Sequence, residues 1–181
     1  MSQREPSPVR IRAIRANDAC ELQSFYAGLS AASRQTRFLT VTSGVSDAQS
    51  RSFCGTRHRH QQGFVAVVGG NRVGVDRIVG HLCLEPDGAD AAEVAIAVAD
   101  AFQRQGIGRV LLAAGVAWAL GARVSRFTAT MSTANAAIHQ LLVGLGLPAR
   151  MRYSGAGVAE ITIDLAADTV ARGHGWRLAE A

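Results

Sequence analysis

At 181 residues the chain suits one domain, which on folding buries about 70 % of the surface an unfolded chain exposes. A 48 % share of hydrophobic residues excludes general disorder, and the net charge of +5 rests on arginine alone, because lysine is absent. The longest apolar run, 106–122, is interrupted by Arg109, which excludes a membrane span and leaves a buried helix.

Other compositional features narrow the class further. The arginines are scattered and few aromatics lie among them, which argues against a nucleic-acid partner. A basic surface suits a phosphorylated ligand or an acidic partner. Cys20, Cys54 and Cys83 are odd in number, widely spaced and set in apolar runs. They read as buried thiols of a reducing cytoplasm, with no metal site and no disulfide framework. Residues 1–8 are polar and proline-containing, lack the apolar core of a secretory signal, and read as a loose tail.

In chain order, Val9 to Ala13 alternates apolar and charged residues with the period of a half-buried strand. Asn17-Asp18, with Glu21 three residues on, resembles a capping box for a helix carrying Ala19, Leu22, Tyr26 and Leu29. A second short helix or turn is expected over 33–38, and Ser46-Asp47 opens a third, reaching about Cys54. Residues 56–62, with Arg57, His58, Arg59 and His60, read as a solvated loop. Strands then follow at 64–68, 78–84 and 93–98, joined by turns at Gly69-Gly70-Asn71 and Asp87-Gly88, so an antiparallel meander is expected. Next come a helix over 107–120, a strand over 126–131 and a helix marked by Ile138, Leu141, Leu142 and Leu145, which Gly146 ends. A strand near Tyr153 and one over 161–165 complete the series, while 166–181 has no reading. This order predicts an α/β (α+β) single domain over 9–165, with a mixed, mostly antiparallel sheet flanked by helices.

The segment Gln103-Arg104-Gln105-Gly106-Ile107-Gly108-Arg109 carries the most chemical information. It follows an apolar strand and opens an apolar helix, where glycines let the backbone approach a ligand and free N–H groups meet negative charge. Such a nest suits a pyrophosphate, with Arg104 and Arg109 adding charge. On this segment alone, a strand-to-helix turn without a ligand reads equally well. A dinucleotide fold is disfavoured, because its third glycine would fall at Leu111 and the preceding strands are joined by hairpins.

Gln103-x-x-Gly106-x-Gly108 after Ile96-Ala97-Val98, with an Asn135-opened helix ending Leu145-Gly146-Leu147, resembles the GNAT (GCN5-related) N-acetyltransferase superfamily over about 9–165. The resemblance implies acetyl-CoA as co-substrate, held between two strands that splay apart, and no metal. Its contacts would be Ile96, Val98, Gln103, Arg104, Gln105, Gly106, Ile107, Gly108 and Arg109, with Asn135 touching the pantetheine or capping its helix. Many members carry a tyrosine as acid toward the leaving thiolate. Here that position is Leu142, with Ser132 and His139 nearby.

Amide formation requires a deprotonated amine, and a lysine side chain of pKa about 10.4 is almost wholly charged at neutrality. A base is therefore expected, and Glu93 is the only carboxylate within the run 91–99. It shares a strand face with Ala95 and Ala97. Such a carboxylate either sits at the strand's solvated end or is partly buried with a raised pKa. Ala92-Glu93-Val94-Ala95, Leu29-Ser30, Ser33-Arg34 and Arg37-Phe38 are similar to bacterial protein-lysine acetyltransferases that modify acyl-CoA synthetases. That resemblance implies a protein lysine as acceptor, and the missing lysines would spare such an enzyme self-modification. A GC-rich genome explains them as well. A small-molecule amine, a homodimer and a non-catalytic acyl-CoA-binding module remain open. Cys83 reads as a buried thiol, His81 as a hydrogen-bonded strand residue, and Trp118 as core.

Overall fold

The computed structural model describes residues 8–55, 59–69 and 76–165. In chain order the elements are β1 (Val9–Ala13), α1 (Ala19–Ala27), α2 (Ala31–Phe38), α3 (Asp47–Phe53), β2 (Gln62–Val68), β3 (Arg77–Pro86) and β4 (Ala91–Val98). They continue with α4 (Ile107–Gly121), β5 (Arg126–Ser132), α5 (Ala136–Gly144), β6 (Ala149–Gly155) and β7 (Val158–Asp164). One seven-stranded sheet runs β1-β2-β3-β4-β5-β7-β6, and every pairing is antiparallel except that of β4 with β5. The expected single-domain, mostly antiparallel sheet with flanking helices is what forms.

Alternation along the strands sorts the core into two layers. Leu82, Leu84, Ala92 and Val94, with Phe127 of β5, face α4, where Leu111, Leu112 and Val116 complete one cluster. Val65, Val67 and Ile78 face α1, where Leu22, Phe25 and Tyr26 complete the other. Helix α4 lies close on β3 because a glycine on each leaves room for side chains of the other. A Cβ on Gly80 would stand 3.0 Å from Leu111 Cδ1 and 3.2 Å from Ala66 Cβ, and one on Gly115 would stand 3.2 Å from Leu82 Cδ2. Between β2 and β3 the register passes from Ala66↔Gly80 to Val67↔Ile78, so Val79 is an extra residue, a β-bulge. Its carbonyl accepts the Ala99 N–H at 2.9 Å, holding the end of β4.

Helix α2 is fastened to the turn that follows β4. Ser30 caps it, its Oγ accepting from the Ser33 N–H. The Asp100 carboxylate in turn accepts from the Ser30 N–H at 2.9 Å, the Ser30 hydroxyl at 2.7 Å and the Ser33 hydroxyl at 2.8 Å. Burial works to raise the Asp100 pKa, but these serine donors outweigh it and hold the carboxyl below its usual range.

Several local expectations are corrected by tertiary contacts. Asp18 precedes α1 but makes no side-chain cap. Its carboxylate instead accepts from the Arg12 guanidinium at 2.7 and 2.8 Å and from the Arg15 N–H at 2.7 Å. His60, expected on a solvated loop, is buried, and Cys20, expected inside, is exposed on α1. Trp118 is only half-buried, at the margin of the α4 cluster. The expectations for Arg57, His58, 166–181 and all but one residue of the N-terminal tail lie outside the described residues.

Gly80→Val forces a side chain against Leu111 and Ala66, and is expected to lower unfolding free energy by about 1–3 kcal/mol in urea titrations. Because folding lowers the Asp100 pKa, its contribution is present above about pH 4 and is lost as pH falls through the folded value. Asp100→Asn therefore lowers Tm near neutrality and flattens the acid limb of a Tm-against-pH curve.

Candidate functional site

Strands β4 and β5 run parallel but pair only at Ala91↔Arg126, Ala92↔Phe127 and Glu93↔Thr128. Beyond Glu93 they part, β4 continuing to Val98 and β5 to Ser132. The parting leaves one row of β4 backbone groups without a strand neighbour. The Asp87 N–H donates to Ala91 O and the Ala99 N–H to Val79 O, so odd-numbered residues of β4 address β3. By alternation, Val94, Ile96 and Val98 turn their N–H and C=O groups toward the gap. The Gln103 side-chain amide already donates to Val98 O at 3.0 Å. A gap of this kind suits an extended, amide-containing chain acting as a guest strand.

At the far end of the gap the chain forms a concave turn. Arg104 (φ 62°) and Gly106 (φ 83°) both take the left-handed conformation, and Gly106 precedes α4 with no side-chain cap. The Arg109 and Val110 N–H groups bond back to Gly106 O. Those of Ile107 and Gly108, at the first turn, have no intrahelical acceptor and stand at the positive end of the α4 dipole.

Arg104, Gly106, Ile107, Gly108 and Arg109 line one end of a cavity of about 590 Å³. Ile96, Val98 and Gln103 line it from the β4 side, and Asn135 from the α5 side. Among the sequence-predicted residues Gln105 stands apart, its side chain turned back to Ala101 O at 3.1 Å. Asn135 Oδ1 accepts from the Ile138 N–H at 3.4 Å, so it caps α5 as well as forming the wall. Gln103 also donates to Ser33 Oγ at 3.1 Å, which joins the turn to α2.

A second, inner chamber of about 230 Å³ adjoins the first, sharing Thr36, Arg37, Ile96, Asn135 and Ile138 with it. Glu93 lines this chamber and is exposed, on the sheet face that also carries Ala95 and Ala97. Of the two environments expected for that carboxylate, the solvated one is found. Leu142, buried, also lines the chamber and brings no hydroxyl to it. Ser132 Oγ is used locally, accepting from the Ala134 N–H at 3.3 Å, and the His139 side chain lies outside the described residues.

The raised carboxyl belongs to a residue that the sequence reading passed over. Glu85 stands directly opposite Glu93 across β3 and β4 and is half-buried. Burial, then the charge of Glu93, pushes its pKa up, against a hydrogen bond from Gln61 at 3.3 Å and the attraction of Arg37. A two-residue turn at Asp87-Gly88 would pair 85 with 90; the loop closes instead from Asp87 to Ala91, and that longer loop brings 85 opposite 93.

Behind the chamber lies a buried polar cluster. The Tyr26 hydroxyl is 2.8 Å from His81 Nδ1, and Arg37 Nη2 donates to Cys83 Sγ at 3.2 Å. Burial first, then the charge of Arg37, pushes His81 down to about 3, so it is neutral at physiological pH. Burial pushes the Cys83 thiol and the Tyr26 phenol up. Cys83 and His81 are thus the buried thiol and hydrogen-bonded histidine expected of them.

Among the described residues no group of three His, Cys, Asp or Glu side chains could hold a metal ion. No described helix is long and apolar enough to cross a membrane.

A family model described as acetyltransferase (GNAT) family matches residues 30–146. No curated protein matches the sequence. The GNAT domain of S. lividans PAT has a TM-score of 0.75 at 27% identity, over 86% of this chain and 90% of that one. The protein yncA from Salmonella typhimurium, solved with its cofactor acetyl-CoA, has a TM-score of 0.68 at 16% identity, over 86% and 92%. Diaminobutyrate acetyltransferase EctA from Paenibacillus lautus, solved with L-2,4-diaminobutyric acid and coenzyme A, gives 0.63 at 18% identity, over 87% and 95%. The last two likenesses establish the fold alone. The family match runs from the α2 cap through the parted strands and the Gly106 turn to the end of α5, and with it the chain belongs to the GNAT acetyltransferase family.

Proposed function

We propose that the protein transfers the acetyl group of acetyl-CoA to a primary amine, with Glu93 as general base. The observation that carries this reading is the continuous cleft running from the uncapped start of α4 to the Glu93 carboxylate. Acetyl-CoA fits its parts in order. The pyrophosphate meets the Ile107 and Gly108 N–H groups and Arg104 and Arg109, and the pantetheine amides meet the free edge of β4. The thioester then reaches the inner chamber, where a β4 N–H donates to its carbonyl oxygen.

The acceptor amine enters beside Glu93, which takes its proton directly or through one water. The nitrogen lone pair forms the new C–N bond, and the electron pair placed on oxygen is stabilised by the β4 donor. When that pair returns, the C–S bond breaks and coenzyme A leaves as a thiolate. With a thiol pKa of about 8.5, this thiolate leaves near neutrality without a protein acid, which accommodates Leu142. Because Glu93 is exposed, its proton passes to solvent after each turnover. The whole unit, 9–165, acts as one catalytic domain, and an acetyl-CoA reaction of this kind belongs to the cytoplasm.

The resemblance of 29–38 and 92–95 to protein-lysine acetyltransferases, and the likeness to the S. lividans PAT domain, support a protein lysine among the acceptors. A second reading, an acyl-CoA-binding module without turnover, is favoured only by Leu142 in the chamber.

Thiol release from acetyl-CoA, measured against a desalted protein fraction and a low-molecular-weight filtrate, tests the activity. Release in either arm supports transfer; acetyl-CoA binding with silence in both supports the module. Glu93→Gln is expected to cost about 10²–10⁴ in turnover while acetyl-CoA affinity stays unchanged, and full activity at every pH would remove it from the mechanism. At Gly106 (φ 83°) an added Cβ meets nothing within 4 Å. Gly106→Ala should therefore cost only the backbone term, about 1–2 kcal/mol, in unfolding, and raise KM for acetyl-CoA more than it lowers kcat.

A further inference from the structure

The inner chamber is lined by one cationic side chain, Arg37, and one anionic one, Glu93; its other walls are apolar or carry threonine and asparagine. The acetyl-transfer reading uses the carboxylate and leaves the guanidinium without a task.

Arg37 is held as a fixed charge. Its guanidinium lies 4.8 Å over the Phe38 ring and 5.8 Å from the centre of Phe53. Its Nη2 donates to Cys83 Sγ, which burial keeps as a neutral thiol, and the Tyr26 hydroxyl is its other polar neighbour. Its Nε is buried with no hydrogen-bond acceptor among the described residues. No described carboxylate comes within ion-pair distance of it; Glu85 on β3 and Glu93 on β4 face it at longer range. A half-buried guanidinium whose close acceptors among the described residues are a sulfur and a phenol lacks its natural partner there, because arginine stays charged and its fork matches a carboxylate.

The position of Arg37 says which ligand supplies that partner. The uncapped N–H groups of Ile107 and Gly108 lie at the outer cavity, with Arg104 and Arg109 beside them, so the phosphates of acetyl-CoA are provided for there. Arg37 lines both cavities at their junction and reaches the chamber that holds the candidate base. Along β4, Ala95 and Ala97 share the Glu93 face and offer only methyl groups, so the space between base and cation stays open. An anion in that space belongs to the acceptor.

We propose, resting on the acetyl-transfer reading, that Arg37 and Glu93 together select an acceptor carrying a carboxylate close to its reactive amine. Glu93 receives the ammonium end and Arg37 the carboxylate. That carboxylate is either the α-carboxylate of a free amino acid or an acidic side chain beside a target lysine, and both present the same pair of charges.

Thiol release from acetyl-CoA over matched acceptors tests this. Free amino acids are compared with their decarboxylated amines, and lysine peptides carrying Asp beside the lysine with peptides carrying Asn. The carboxylate-bearing member of a pair is expected to be favoured at least about tenfold in kcat/KM, and the arm in which this occurs identifies the source. In Arg37→Ala the kcat/KM ratio within each matched pair is expected to fall toward one, through KM of the carboxylate-bearing acceptor. Arg37→Lys retains part of the preference, and acetyl-CoA binding by each variant shows that the fold is kept. Equal or better use of acceptors without a carboxylate by the unaltered protein overturns the proposal and leaves acetyl transfer standing, whatever the variants do. Silence with every acceptor, with acetyl-CoA bound, overturns both readings.

Discussion

Every feature of the candidate site depends on the parting of β4 from β5 after three residue pairs. A parallel pair that stayed together would satisfy the even-numbered backbone groups of β4 internally and close the cleft. Because the strands separate after Glu93, Val94 and Ile96 turn their N–H and C=O groups to the gap, while Val98 O is taken by Gln103, and the sheet opens at its middle, away from its edges. The space so created is walled by α5 on one side and by α2 on the other. Neither helix could contribute to a site if the ladder ran to its end.

The opening has to be held open, and the two sheet faces do this differently. On one face α4 is pressed against β3 through Gly80 and Gly115, which fixes the uncapped start of α4 at the mouth of the gap. On the other face α2 is tied by polar contacts, from Ser30 and Ser33 to Asp100 and from Gln103 to Ser33 and Val98. The same Gln103 thus touches α2 and the last residue of β4. The Val79 bulge adds a bond to Ala99, so the end of β4 is anchored from β3 as well. Rigid supports of this kind keep the backbone donors aligned before any ligand arrives, which is what electrostatic preorganisation requires.

The charges of the site are divided by burial. Glu93 faces solvent, whereas Glu85 opposite it is drawn partly inside and its pKa rises. His81, deeper still, is driven to the neutral form and serves as a hydrogen-bonding partner for Tyr26. Arg37 brings a positive charge to that interior, gripped by aromatic rings and a thiol. A cation so placed is expensive to bury, and the chamber it borders is where that cost finds a use.

Much of this was written in local sequence. Alternation marked β1, β5 and β7, apolar runs between turns marked β2, β3 and β4, and apolar spacing marked α4 and α5, because both periods are properties of a backbone that neighbours only select between. Gly106 after an apolar strand marked the concave turn before α4, since few residues other than glycine tolerate its backbone. Glu93 was legible as the lone carboxylate of its run. Long-range contacts decided the rest. Asp18 looks like a cap until Arg12 claims its carboxylate, His60 looks solvated until the fold covers it, and Glu85 becomes a neighbour of Glu93 only through hairpin register. Arg37 is one arginine among many until α2 lays it over Cys83 at the junction of two cavities. Periodicity, caps and glycines are short-range and so readable in one chain. Where a strand pair ends, and which side chains then share a chamber, depends on residues far apart in sequence, and the tertiary structure alone decides it.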